Sequence, residues 1–187
     1  MDLPNNNFIH HTDVDVSNIE RLIQTKNMDW NEYDFRQSRF SDHSETKTIP
    51  LIWSEKFNGF QKWPRYEDFC DDIEKIDSIL RNFVDPEGAI ITAILINLPS
   101  GCSIGRHRDA NPIGDKFNLC NRIHIPILTN PNCVFEIAGE EINMGVGEVW
   151  EISNIKKMHS VRNLGDNDRV HLLIDWVPLA VRNRFFD

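Results

Sequence analysis

A chain of 187 residues, 40% hydrophobic and 26% charged, is long enough for one soluble domain with a proper core and too short for two. Its formal charge of −9 argues against nucleic acid as a partner, because phosphate binding needs a basic surface. It contains no apolar run of about eighteen residues and starts without the basic and apolar stretches of a secretory signal, so no membrane span and a cytoplasmic location are expected.

Residues 1–13 are polar and are expected to be loose. Between Asp15 and Lys26, the residues Val16, Ile19, Leu22 and Ile23 recur at helical spacing, with Asp15 or Ser17 available as a cap. From about 27 to 64 the chain is irregular but rich in aromatic side chains, from Trp30 to Trp63. A disordered linker lacks such residues, so this stretch should pack, and one or two members could form a lid over a site. Strand is expected near Thr48–Trp53. A second helix starts at Pro64 and carries the stripe Phe69, Ile73, Ile76, Leu80 and Phe83. Asp85-Pro86-Glu87-Gly88 ends it as a turn.

After Gly88 the pattern changes. Ala89–Leu98, Arg122–Leu128, Val134–Ile137, Glu148–Ile152 and Val170–Val177 are short apolar or alternating runs, separated by loops bearing Gly, Pro, Asn and Asp. No helical period of useful length runs between 88 and 178. Short strands in this number predict a β-sandwich or barrel, with a jelly roll as the expected member and the helices packed against it. The chain is accordingly read as a single domain. Residues 1–88 form a helical and irregular N-terminal part, 89–178 the β core, and 179–187 a tail. The four cysteines, Cys70, Cys102, Cys120 and Cys133, form no Cys-x-x-Cys pair and are expected to be free thiols.

The chemistry concentrates in the β half. His107-Arg108-Asp109 lies at a strand end or on the extended loop after it, where residues i and i+2 point to one side. His159 follows from a distant strand. Two imidazoles and a carboxylate are the ligand set of a mononuclear non-haem Fe(II) site with open positions. Asn111 to Asp115 turns the chain. Arg122 and His124 then share one strand face, opposite Ile123, Ile125 and Ile127, and on an inward face they need acid partners or a ligand. Arg169, ten residues after His159, could present a guanidinium to an acid cosubstrate.

From about Ile91 to Pro178 the chain resembles the aspartyl/asparaginyl β-hydroxylase family of Fe(II)/2-oxoglutarate dioxygenases. The elements that carry the resemblance are His-x-Asp, Arg-x-His-x-Pro, Gly-Glu-x-Trp, His-x-Val-x-Asn and Asp-Arg-x-His-Leu-x-x-Asp, in that order. It implies a double-stranded β-helix, the jelly roll already expected. It also implies iron ligation by His107, Asp109 and His159, pairing of Arg169 with the distal carboxylate of 2-oxoglutarate, and a cosubstrate pocket lined by Arg122 and His124. The implied activity is hydroxylation of a free or peptidyl amino acid by O₂, with 2-oxoglutarate converted to succinate. Animal members that name the family lack the carboxylate ligand. Asp109 makes this chain more similar to bacterial members with a full triad, which include proline cis-4-hydroxylase-like enzymes. Residues 1–88 carry no motif of the family and are expected to help set the substrate.

Blander readings stand beside these. Arg169 could pair with Asp166 or Asp168, Arg122 could be a structural ion pair, and His124 and His171 could be satisfied core histidines. Asn154 and Asn163 are candidates to support His159. His10, His11 and His43 sit in polar sequence and are expected to be solvated, while Trp150 and Trp176 are expected in the core. The competing functions are a cupin-type metal enzyme that does not use 2-oxoglutarate and a non-catalytic metal- or small-molecule-binding protein.

Overall fold

Strand and helix both follow from which faces are covered. In the computed structural model, which describes residues 6–26, 28–34, 36–38, 40–53, 60–109, 120–153 and 157–179, the elements run β1 (Phe8–Asp13), α1 (Ser17–Thr25), a 3-10 turn (Ser41–His43), β2 (Lys47–Trp53), β3 (Gln61–Lys62) and α2 (Tyr66–Phe83). Then come β4 (Ala89–Leu98), β5 (Ser103–His107), β6 (Asn121–Leu128), β7 (Cys133–Ile137), β8 (Glu140–Ile142), β9 (Glu148–Ile152), β10 (His159–Asn163) and β11 (Arg169–Val177). They build a seven-stranded sheet, in the order β1-β9-β6-β11-β4-β2-β3, and a four-stranded sheet, β5-β10-β7-β8. Every pairing is antiparallel. This is the jelly roll, or double-stranded β-helix, that the strand pattern predicts.

The large sheet is covered on both faces, which is why β4 and β11 read as nearly unbroken apolar runs. On its outer face Ile123, Ile125, Ile127, Leu172, Ile174 and Trp176 pack with Ile19, Leu22 and Ile23 of α1 and with Phe69, Ile73, Ile76 and Leu80 of α2. Each such side chain contributes roughly 1.5–3 kcal/mol of burial, so the helices dock by their stripes alone. On the inner face Leu98 and Ile152 meet Ile104, Phe135, Ile137 and Val161 of the small sheet. Trp176 is fully buried and Trp150 packs partly buried at the second core.

Three local expectations change. Residues 8–13 are not loose: β1 adds to the edge of β9, with Phe8 opposite Ile152 and its ring edge-on to Phe135 and Trp150. The strand was hidden because it covers an edge and buries one ring rather than an alternating face. α2 begins at Tyr66, two residues after Pro64, and Phe83 at its end is 49% exposed, so the stripe stops at Leu80. β5 and β10 carry few apolar residues because part of their inward face lines a polar site. Asn111 to Asp115 and the tail beyond Leu179 lie outside the described residues.

Candidate metal centre

The pairing of β5 with β10 sets His107 directly opposite His159, 52 residues apart in sequence. Their rings lie 4.2 Å apart, centroid to centroid. Nδ1 of His107 donates to the carbonyl of Gly105 at 2.7 Å, which directs Nε2 inward. That Nε2 lies 3.4 Å from Oδ1 of Asp109, and Nε2 of His159 lies 3.8 Å from the same oxygen. The second nitrogen of His159 is 3.5 Å from the carbonyl of Lys157. Backbone carbonyls thus engage Nδ1 in both rings and leave both Nε2 lone pairs turned toward Asp109 Oδ1, available to a cation that would be shared with that oxygen.

Adjacent ligands of a small octahedral cation lie about 3 Å apart, close to these separations. Among the described residues Nε2 of His107 is buried and has no hydrogen-bond partner, as a ligand atom awaiting a cation would be. Two imidazoles and one carboxylate suit Fe(II). The residues therefore fit the ion the motif implies. Burial opposes protonation of His107, but the Asp109 carboxylate and the Gly105 carbonyl outweigh it and raise its pKa; burial lowers that of His159.

One further histidine stands at the centre. Ligand atoms of His43, His107 and Asp109 all lie within 4.8 Å of one another, and the His43 ring meets His107 edge-on at 4.9 Å. His43 is buried, contrary to the expectation of a solvated residue, because the 3-10 turn that carries it packs against β5. Burial and the neighbouring Arg36 pull its pKa down to about 3. Arg36 approaches Nε2 of His43 at 3.5 Å, so that nitrogen already has a donor beside it. The Nε2 atoms of His107 and His159 have no such competitor. His43 thus stands beside the set that the motif implies, His107, Asp109 and His159, as a further candidate ligand whose Nε2 is already engaged.

The opposite wall belongs to the large sheet. Register sets Asp175 across from Arg122, and the pair is bidentate at 2.8 and 3.1 Å. Arg122 also binds Oδ2 of Asp109, which leaves Oδ1 facing the histidines. Burial works against its charge, but both acids outweigh it and raise the pKa of Arg122. His124 lies between the rings of Phe135 and His171, and burial holds its pKa well below the usual value. Arg169 is 2% exposed, donates to Nδ1 of His171 at 2.7 Å, and stands over the Phe135 ring. Burial lowers its pKa to about 10. Among the described residues it has no carboxylate partner: Asp168, its neighbour, instead accepts from Asn97 and from the backbone N–H of Ser100.

The six residues singled out in the sequence, His107, Asp109, Arg122, His124, His159 and Arg169, thus line one open cavity. Arg36, His43 and Phe135 line it as well. Sequence reasoning missed these three and Asp175; the last Asp of the Asp-Arg-x-His-Leu-x-x-Asp run, at the same strand parity as Arg169, was the available signal. Asn163 does not support His159: at the other end of β10 it donates to the carbonyls of Leu98 and Asn167, tying strands together. Asn154 lies outside the described residues. All four cysteines are free.

The fold is one shared with 2OG-Fe(II) oxygenases. An oxidoreductase of the 2OG-Fe(II) oxygenase family from Burkholderia pseudomallei superposes with a TM-score of 0.56 at 15% identity, over 90% of this chain and 93% of that one. A viral collagen prolyl hydroxylase from Paramecium Bursaria Chlorella virus-1, in complex with 2OG, gives 0.59 at 8% identity over 94% and 98%. A Pseudomonas putida prolyl-4-hydroxylase gives 0.54 at 10% identity over 94% and 95%. No curated protein sequence matches the chain. Residues 8–178 match the family described as Aspartyl/Asparaginyl beta-hydroxylase, and the chain belongs to that family. The match begins in β1, so the N-terminal part, which carries no recognisable motif, belongs to the family's domain as well.

Proposed function

We propose that the protein is an Fe(II)- and 2-oxoglutarate-dependent oxygenase that hydroxylates an unactivated C–H bond of an amino acid or a peptidyl residue. The reaction consumes one O₂ and one 2-oxoglutarate and yields the alcohol, succinate and CO₂. The observation that carries the reading is the convergence of His107 and His159 on one oxygen of Asp109, in a cavity that also holds the buried Arg169, which has no acid partner among the described residues. Fe(II) bound there would supply the activation of O₂ against the 2-oxo acid.

The chain's own part is binding, orientation and exclusion of water. His107 and His159 are oriented through Nδ1 and offer Nε2; Arg122 holds the outer oxygen of Asp109 and leaves the inner one facing the two histidines. Arg169 offers a planar pair of donors suited to the distal carboxylate of the cosubstrate. Ile96, Ile104, Val161 and Leu173 make the rest of the lining apolar, which strengthens these charge contacts. Anaerobic addition of Fe(II) and 2-oxoglutarate should produce the weak visible charge-transfer band of the chelate, and air should then yield succinate. A protein that gives neither the band nor succinate, with or without added amino acids, is not such an oxygenase.

A further inference from the structure

The segment between α1 and β2 brings a second buried cation to the cavity. Arg36 is 7% exposed and lines the wall beside His43, His107, Asp109 and Arg122. One terminal nitrogen lies 3.5 Å from Nε2 of His43; the other, Nη1, is buried with no hydrogen-bond partner among the described residues. The acids whose charge it feels, Asp109 and Asp175, are both already bound to Arg122. A guanidinium out of water and without its own acid is unfavourable unless an anion completes it. His43 points the same way. Its Nε2 faces the N–H of Arg36 and so must accept, which puts the proton of the neutral ring on Nδ1, a second buried atom without a partner.

This pair is held in place rather than draped over the opening. Glu45 accepts from the backbone N–H of Ser103 at 2.8 Å, and the 3-10 turn packs on β5. Arg36 also differs in surroundings from Arg169. Arg169 contacts His171 and Phe135, whereas Arg36 contacts His43 and faces Arg122 and Asp109. A dicarboxylate anchored at Arg169 leaves Arg36 for another anion.

We propose that Arg36, with His43, is a carboxylate-binding subsite for the substrate, which is therefore a small acid held by its carboxylate next to the metal ligands. The proposal rests on the oxygenase reading for what the bound acid is there for, and its test separates the two. The probes are the free L-amino acids and the carboxamide of each, titrated by calorimetry into protein loaded with Mn(II) and 2-oxoglutarate without O₂. At least one free acid should bind, and its carboxamide should bind at least tenfold more weakly. Arg36→Met should weaken that acid by on the order of a hundredfold, while Arg36→Lys, which keeps the charge but not the fork, recovers part of the loss. Because Arg36→Met removes an unpaired buried charge, its melting temperature should not fall. Arg169→Met should weaken 2-oxoglutarate and not the acid. The subsite is overturned if no free acid binds, if acid and amide bind alike, or if Arg36→Met weakens 2-oxoglutarate as Arg169→Met does. Failure of the oxygenase reading has a different signature: metal-loaded wild-type protein that does not bind 2-oxoglutarate, with acid binding and its dependence on Arg36 still measured on the same sample.

Discussion

Replacing Asp175 by asparagine removes one of the two carboxylates that hold Arg122. Asp175 is 1% exposed and pairs with Arg122 through both oxygens, at 2.8 and 3.1 Å. Asparagine keeps one acceptor but turns an N–H group toward the guanidinium. Breaking a buried ion pair by removing one member costs about 3–5 kcal/mol. Asp109 remains on Arg122, so the lower end, about 3 kcal/mol, applies here. In a domain of this size that is about 6–12 °C in melting temperature, out of a total stability of roughly 5–15 kcal/mol. A second effect follows at the metal. With Asp175 neutral, Arg122 draws more strongly on Asp109, and affinity for Mn(II) should fall about 10–100-fold, as when the orienting partner of a ligand is lost. Urea unfolding of the metal-free protein and calorimetric Mn(II) titration measure the two effects. A variant within about 0.5 kcal/mol of the parent, the ordinary range for a surface change, with unaltered Mn(II) affinity, would refute the reasoning.

Arg169→Met should raise the Kd for 2-oxoglutarate at least about 30-fold, the loss expected for a buried charge contact, and leave Mn(II) binding within about twofold; equal 2-oxoglutarate affinity would remove Arg169 from the cosubstrate site. Gly147 has φ +80°, and a Cβ there would meet the carbonyl oxygen of Val14 at 2.4 Å. Gly147→Ala should therefore cost about 2–4 kcal/mol by urea unfolding, from the left-handed backbone and the overpacking together, and a change under about 1 kcal/mol would contradict this. His124 and His171 are held neutral in the fold by burial, with pKa values well below 6.5, while the unfolded chain protonates them near 6.5. Their contribution is complete above that pH and is lost as pH falls from about 6.5 toward the folded-state values, each adding up to about 1.4 kcal/mol per unit. Metal-free protein should accordingly be less stable at pH 5.5 than at 7.5, and His171→Asn should flatten that slope; an unchanged slope would mean the ring is not held neutral.

Much of the site was legible because strand geometry is local. His107 and Asp109 fall on one side by i, i+2 parity, and Arg122 and His124 by the same rule, whichever strands come to flank them. What parity cannot supply is the partner across the ladder. That His159 stands opposite His107, and Asp175 opposite Arg122, depends on register between strands 52 and 53 residues apart. The bland reading of Arg122 as an ion pair and its reading as part of the cavity both describe it: it is paired with Asp175 and also grips Asp109. β5 and β10 were poor strands by composition because part of their inward side is the polar site itself.

The sequence by itself determined the jelly roll, the helices that pack on it and the family, since apolar periodicity and the ordered motifs lie along the chain. Only the tertiary structure decided that Arg36 and His43 belong to the cavity. They sit in a polar, irregular segment with no period to read. The 3-10 turn that carries His43 docks on β5, a contact between residues about 60 positions apart in sequence, and Arg36 lies against His43. That contact places a second cation beside the metal ligands, in the half of the chain that carried no motif.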